Sequence, residues 1–255
     1  MQVQGFIIHL DRATARRPQA ERLVATAPCP TEILPAVDGR AMDPAALAAV
    51  YSATPLLAPR YPFPLGVGEI ACFLSHRKVW AEIIARNLDA ALVLEDDVDL
   101  GPDFPAAFTL ACRHVADLGY IQFQTRPLPA GRTLASEGTA ALIRPTVLPL
   151  RTSAQLVSRA AAERLLSLTG HFDRPIDAFL QLAWVTGIPC ACARPSGVTD
   201  LTEALGGTTA QTRQHRSLHE SLVRTVLRGS YRRQIARQSR QSATSLFAGP
   251  AFPPK

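Results

Sequence analysis

The chain has 255 residues, 47% of them hydrophobic and 19% charged, which suits a large packed domain and excludes global disorder. No run of eighteen apolar residues occurs, so no segment can cross a bilayer as a helix. The net charge of +6 is lopsided, because residues 213–240 hold eight arginines and one acid, Glu220, while the rest sums to −1.

The first five residues carry no basic segment, and the apolar run after them stops at His9, so a cleaved signal peptide is not expected. Five scattered cysteines, an odd number, suit a reducing compartment better than a disulfide framework. Both features point to a cytosolic protein. Phe6-Ile7-Ile8-His9-Leu10 reads as a buried strand, with Asp11 a candidate cap for the Arg-rich helix after it. Thr31 to Val37 reads as a second strand, closed by the turn pair Asp38-Gly39, and a short helix follows near 44–50. Four prolines between Pro55 and Pro64 rule out a regular element there.

From Gly68 onward Ile70, Phe73, Leu74, Trp80, Ile83 and Ile84 recur at helix spacing and predict one apolar stripe, with Trp80 in the core. Ala90 to Leu94 is a short, wholly apolar strand of the kind found in the centre of a sheet covered on both faces. A helix over 103–118 leads to a strand at Tyr120–Phe123, and 126–150 predicts short strands and a loop. Gln155-Leu156-Val157 runs into a helix from Ser158 to about Leu168, and another helix begins near Pro175. Ile188 to Ala193 is the last strand, on which Cys190 and Cys192 read as alternate buried positions, with no second cluster at zinc-site spacing. Alternating strands and helices of this kind predict an α/β fold.

The sharpest chemical signal is Leu94-Glu95-Asp96-Asp97-Val98. Ligands of open α/β sheets gather at the carboxyl ends of strands, and three adjacent acids repel one another unless a cation compensates. Mg2+ and Mn2+ prefer such oxygen ligands and can bridge carboxylates to a diphosphate. A solvated acidic turn is the competing reading. A phosphoryl-accepting receiver domain is excluded, because it needs a lysine after a late strand and this chain has only Lys78 and Lys255.

The stretch Gly68-Glu69-Ile70-Ala71-Cys72-Phe73-Leu74-Ser75-His76, then Trp80, then Leu94-Glu95-Asp96-Asp97, strongly resembles glycosyltransferase family 25, which includes bacterial lipooligosaccharide galactosyltransferases. Weaker pieces keep the same order: Ile8-His9-Leu10 with Arg16-Arg17, Val37-Asp38-Gly39, Ser153 to Ser158, Arg174-Pro175-Ile176-Asp177 and Gly187-Ile188-Pro189. The resemblance spans about 5–200. It implies a GT-A-like (Rossmann-like) nucleotide-sugar-binding sheet, a UDP-sugar donor, often UDP-galactose, and dependence on Mn2+ or Mg2+. On that basis Glu95 and Asp97 would hold the metal with Asp96 beside them, while Arg16, Asp38, Gly39 and His76 would lie near the donor nucleotide. The sequence departs from the family at Gln122-Phe123-Gln124-Thr125, which lacks an acid, and at Arg151-Thr152-Ser153-Ala154-Gln155. Residues 1–205 would then be the catalytic domain, 206–240 a basic amphipathic helical segment and 241–255 a disordered tail.

An inverting transfer needs a base for the acceptor hydroxyl. Asp177 is the favoured candidate, because Pro175 can start a helix that presents it in the first turn; helix capping is its alternative role. His76 reads either as a catalytic-site residue or as a satisfied structural histidine, and Arg16 and Arg17 either as diphosphate ligands or as an exposed helix face. The acceptor would be a saccharide or lipid-linked oligosaccharide of a bacterial surface glycan such as lipopolysaccharide. A catalytically degenerate, saccharide-binding or scaffolding module is the alternative. Leu218, Leu222, Val223, Val226, Leu227, Tyr231 and Ile235 recur at helical spacing beside Arg224, Arg228, Arg232 and Arg233. That pattern suits peripheral attachment to an anionic membrane at the inner face of the plasma membrane, or docking on the catalytic domain with the arginines in solvent. Nucleic acid is not expected as a partner, since no binding motif accompanies the charge.

Overall fold

The computed structural model of the protein describes residues 1–207 and 218–243. Strand β1 (Val3–His9) passes through a 3-10 turn into α1 (Arg17–Thr26), and β2 (Thr31–Pro35), α2 (Pro44–Ala48) and α3 (Val67–Ala85) follow. Next come β3 (Ala90–Glu95), β4 (Val98–Leu100), α4 (Phe104–Leu118) and β5 (Tyr120–Gln122). A hairpin of β6 (Gly131–Glu137) and β7 (Ala140–Pro145) precedes β8 (Ala154–Ser158) and α5 (Arg159–Leu168). Helices α6 (Ile176–Leu180) and α7 (Ala183–Thr186), strands β9 (Cys190–Arg194) and β10 (Val198–Asp200), and helix α8 (Leu218–Ala243) complete the described chain.

Eight strands form one mixed sheet in the order β2-β1-β3-β8-β5-β9-β7-β6. β1 is parallel to both β2 and β3, whereas β8 runs antiparallel between β3 and β5. Because successive side chains of a strand point to opposite faces, β1 and β3 feed two cores. Phe6, Ile8, Ala91 and Val93 pack with Phe73, Trp80 and Ile83 of α3 and Leu165 of α5. Ile7, Leu92 and Leu94 meet Leu23 of α1 and Phe104, Phe108 and Val115 of α4. The central strand is therefore buried on both faces, as its unbroken apolar run predicts, and the α/β class is as expected.

Several local expectations change. Asp11 does not cap a helix: the chain makes a 3-10 turn at Thr14–Arg16 first, with Ala13 ahead of it and no side-chain cap. On α3 the stripe buries Ile70, Phe73, Trp80 and Ile83, but Ile84 is 37% exposed. The helical period carries Ile84 past the edge of the buried face. Cys190 and Cys192 share one face of β9, but only Cys192 is fully buried and Cys190 is half-buried; like the other three cysteines, both are free thiols.

Strands β4 and β10 are not among the expected elements; these three-residue strands pair antiparallel from Val98 opposite Asp200 to Leu100 opposite Val198. This ribbon begins one residue after the acidic triplet, and Leu201 N donates to Asp97 O at 2.7 Å. Gly197 anchors it with φ +67°, where a Cβ would lie 2.2 Å from Phe104 N, so only glycine permits this approach. Helix α8 runs to Ala243, three residues beyond the point where the tail was expected; 244–255 and 208–217 lie outside the described residues.

Candidate active site

Parallel register sets Ile8 of β1 opposite Glu95 of β3, so His9 and the acidic triplet emerge at the same carboxyl edge of the sheet. The three acids then part ways. Asp96 is 6% exposed and sealed in: His9 Nδ1 lies 2.7 Å from its Oδ2, and Arg16 Nη1 donates to its Oδ1 at 2.9 Å. The same Arg16 nitrogen donates to Asp97 Oδ2 at 3.0 Å, and Arg16 Nη2 donates to the carbonyl of Gly207. Arg16, only 4% exposed, is thus an internal clamp on two carboxylates rather than an exposed helix residue.

Glu95 is held from two sides. Thr152 Oγ1 donates to its Oε1 at 3.2 Å, and His76 Nε2 lies 3.4 Å from the same oxygen. Gln155 Nε2 donates to Thr152 O at 3.2 Å and sits 2.9 Å from His76 Nδ1. His76 thus lies between Gln155 at Nδ1 and Glu95 at Nε2. Burial works against the Glu95 carboxylate, but His76, Thr152 and Arg151 more than offset it and hold its pKa below the ordinary value. Asp97 goes the other way: burial, with the Glu95 charge adding to it, pushes its pKa up to about 6 despite Arg16. Asp97 therefore carries negative charge that the protein alone does not fully compensate.

A cation would relieve this. Among the described residues the hydrogen bonds to Glu95 fall on Oε1 and those to Asp97 on Oδ2, the latter also accepting from Thr202 Oγ1 at 3.1 Å. Glu95 Oε2 and Asp97 Oδ1 remain as hard oxygen ligands, which fits Mn2+ or Mg2+. Cys72, His76 and Glu95 also bring one ligand atom each within 4.8 Å of one another. A thiol–imidazole–carboxylate set suits zinc better. Burial raises the Cys72 thiol well above its ordinary pKa, so this group resists that role.

The triplet opens into a cavity of about 710 Å³ whose lining includes Arg16, Gly39, His76, Glu95, Asp96 and Asp97. That volume accommodates a nucleotide-sized ligand. Gly39 is required there by space, since a Cβ would meet Val67 Cγ1 at 2.7 Å. Asp38 is not part of the lining. Its Oδ1 accepts from Arg40 N at 3.0 Å, capping the 3-10 turn Gly39–Ala41, and its Oδ2 accepts from Arg12 Nε at 2.9 Å. It shapes the turn that carries Gly39 into the cavity wall.

Asp177 also stands outside the lining. Its Oδ2 accepts from Arg151 N at 3.1 Å and its Oδ1 from Ala178 N at 2.7 Å, so both oxygens serve backbone amides. Arg151 adopts φ +86°, an uncommon conformation for a residue with a side chain. Asp177 pins that backbone one residue before Thr152, the partner of Glu95. The geometry therefore favours positioning and capping over a base.

Two groups of residues in or beside the site were not foreseen. Thr152 and Gln155 fall where the sequence departs from the family pattern. Tyr61 and Phe63 of the proline-rich loop, with Arg224 and Arg228 of α8, also line the cavity. Their signal in the sequence was only a basic amphipathic pattern and a loop without regular structure.

The family model described as "Glycosyltransferase family 25 (LPS biosynthesis protein)" matches residues 2–127. Procollagen galactosyltransferase 2 of Homo sapiens is 42% identical over 96 residues, 36% of this chain and 15% of that protein. "Inactive glycosyltransferase 25 family member 3" of Mus musculus is 31% identical over 188 residues, 69% of this chain and 31% of that one. The chain thus spans less than a third of the length of these relatives. A solved glycosyltransferase involved in glycosylation of the major capsid of PBCV-1 aligns at 12% identity and a TM-score of 0.33, covering 64% of this chain and 62% of the other.

Proposed function

We propose that this chain, whose residues 2–127 match the model of glycosyltransferase family 25, transfers a sugar, with galactose the first candidate, from a UDP-sugar onto a saccharide acceptor. The observation that carries the reading is the pairing of Glu95 and Asp97 at the carboxyl end of β3, inside the cavity, each with a carboxylate oxygen outside the described hydrogen bonds. These two residues would hold Mn2+ or Mg2+. Bound there, the cation would neutralise charge developing on the diphosphate leaving group.

The protein's own part is preorganisation. Arg16 and His9 fix Asp96, and through Arg16 they set the position of Asp97. His76, oriented by Gln155, and Thr152 fix one oxygen of Glu95 and keep it ionised. Transfer onto bacterial lipopolysaccharide or a related glycan, with inversion, belongs to the same proposal; of these the family description speaks only for lipopolysaccharide. The direct test is calorimetric titration with UDP-galactose with and without Mn2+, followed by an assay of UDP release with saccharide acceptors. Metal-dependent binding and UDP release are expected. Binding of the nucleotide without any release would instead support a saccharide-binding module, a reading that the name of the inactive mouse relative keeps in play.

We further propose that the outer side of α8 rests on an anionic bilayer and keeps the site near a lipid-linked acceptor. Leu222 and Val226 are 64% and 60% exposed, Val223 and Leu227 are also exposed, and Arg232, Arg233, Arg237 and Arg240 continue an exposed basic surface. L222D/V226D should abolish sedimentation with phosphatidylglycerol vesicles that the parent chain retains. Equal sedimentation of both proteins would end this part of the reading.

A further inference from the structure

Helix α8 is far in sequence from the family-matched residues 2–127, yet two of its arginines enter the same cavity as the acidic triplet. The Arg224 guanidinium carbon lies 4.2 Å from the centre of the Phe63 ring and that of Arg228 lies 5.7 Å from it. Phe63 is itself braced: Tyr61 meets it edge-on at 5.8 Å and meets Tyr231 of α8 at 5.4 Å. Buried Tyr231 and Ile235 hold the helix down, so the two arginines stand on a fixed support. Among the described residues neither forms an ion pair with a carboxylate, and Arg224 Nε is a buried donor without a hydrogen-bond partner.

A guanidinium stacked on an aromatic face loses little, because its N–H donors lie in its own plane and stay available to an oxyanion. Two of them one helical turn apart, without carboxylate partners and lining a cavity, form a receptor for a phosphate or a carboxylate. Arg12 and Arg40 also line the cavity, but Arg12 is engaged by Asp38.

We propose that Arg224 and Arg228, held over Phe63, bind an anionic oxygen group of the substrate, so that α8 forms part of the substrate site. The proposal rests on the transferase reading for the name of the substrate but not for the binding chemistry. The anion comes either from the donor diphosphate or from a phosphate or carboxylate carried by an acidic acceptor saccharide.

The test uses the full chain, R224Q/R228Q and, as a variant that keeps both charges, Phe63→Leu. Each is titrated with inorganic pyrophosphate, with UDP plus Mn2+, and with glucose 6-phosphate beside glucose. The double variant should weaken pyrophosphate binding by about ten- to a hundredfold, the range expected for lost charged hydrogen bonds, and Phe63→Leu should fall between it and the parent. If UDP binding drops in parallel, the donor diphosphate is the ligand. If UDP binding holds and the preference for glucose 6-phosphate over glucose disappears, the ligand is an acidic acceptor. A parent chain that binds none of these anions, or a double variant that binds all of them as tightly as the parent, overturns the proposal. Failure of the parent to bind UDP with Mn2+, while pyrophosphate binding stays sensitive to R224Q/R228Q, would instead strike the transferase reading alone.

Discussion

Asp97→Ala is expected to abolish metal-dependent binding of a UDP-sugar and to cut turnover by about a thousandfold or more, since a catalytic cation contributes several kcal/mol and each 1.36 kcal/mol is tenfold. The fold should survive the change. Arg16 keeps its bond to Asp96, which remains paired with His9, and the backbone of Asp97 still accepts from Leu201 N. The Asp97 side chain contributes little to stability, because burial and the neighbouring Glu95 charge raise its pKa to about 6. A thermal melt without metal should therefore show Asp97→Ala no less stable than the parent by more than a few degrees, and only the parent should gain stability when Mn2+ and UDP are added. Unchanged titration of UDP-galactose with Mn2+ in Asp97→Ala would remove the acidic triplet from the mechanism. A collapse of the apo melt would mean that the side chain is structural.

The contrast among Glu95, Asp96 and Asp97 marks how far the sequence could be read. Local pattern was sufficient to place them: the apolar run Ala90–Leu94 demands a central strand, and a strand must release its next residues at the sheet edge. Which acid does what depends on neighbours brought in from elsewhere. His9 arrives by parallel pairing of β1 with β3, and Arg16 by the 3-10 turn that displaced the expected cap at Asp11. Thr152 and Gln155 reach Glu95 and His76 because β8 inserts antiparallel beside β3, an arrangement no local period encodes. The short pair β4 and β10 was invisible for the same reason: three residues are too few for alternation to register.

Helix α8 shows the limit from another side. In the sequence its apolar and basic residues form one amphipathic pattern, for which membrane attachment and docking on the domain are the leading alternatives. The structure divides the helix. Tyr231 and Ile235 dock on the domain, Arg224 and Arg228 line the cavity with Phe63, and Leu222 and Val226 stay outward. Residue type alone could not separate a solvated arginine from one stacked over a ring supplied by a loop some 160 residues earlier.

That loop and helix are tied together by one buried ion pair, and breaking it should unsettle both. Arg174 has no exposed surface; its Nε donates to Asp173 Oδ1 at 2.7 Å, its Nη2 to Leu57 O at 2.6 Å, and its Nη1 to Tyr231 Oη of α8 at 3.4 Å. Asp173 Oδ2 in turn accepts from Leu56 N at 2.7 Å, at the root of the loop that carries Tyr61 and Phe63. Burial opposes the Asp173 charge, but Arg174 and the two loop amides hold its pKa below the ordinary 3.8. The pair's contribution is therefore complete above that pH and is lost only as acid protonates Asp173 below it. Asp173→Ala leaves a guanidinium buried without its counter-charge and should cost about 3–5 kcal/mol. In a chain of this size that corresponds to a drop in Tm of roughly 10 °C. The double variant Asp173→Leu with Arg174→Met should recover much of the loss, because removing both charges also removes the desolvation penalty that the single variant exposes. Additive losses in the double variant would show that the pair is not coupled as the geometry requires. A single variant within about 2 °C of the parent, less than the shift from 1 kcal/mol, would show that this junction does not hold the cavity wall in place.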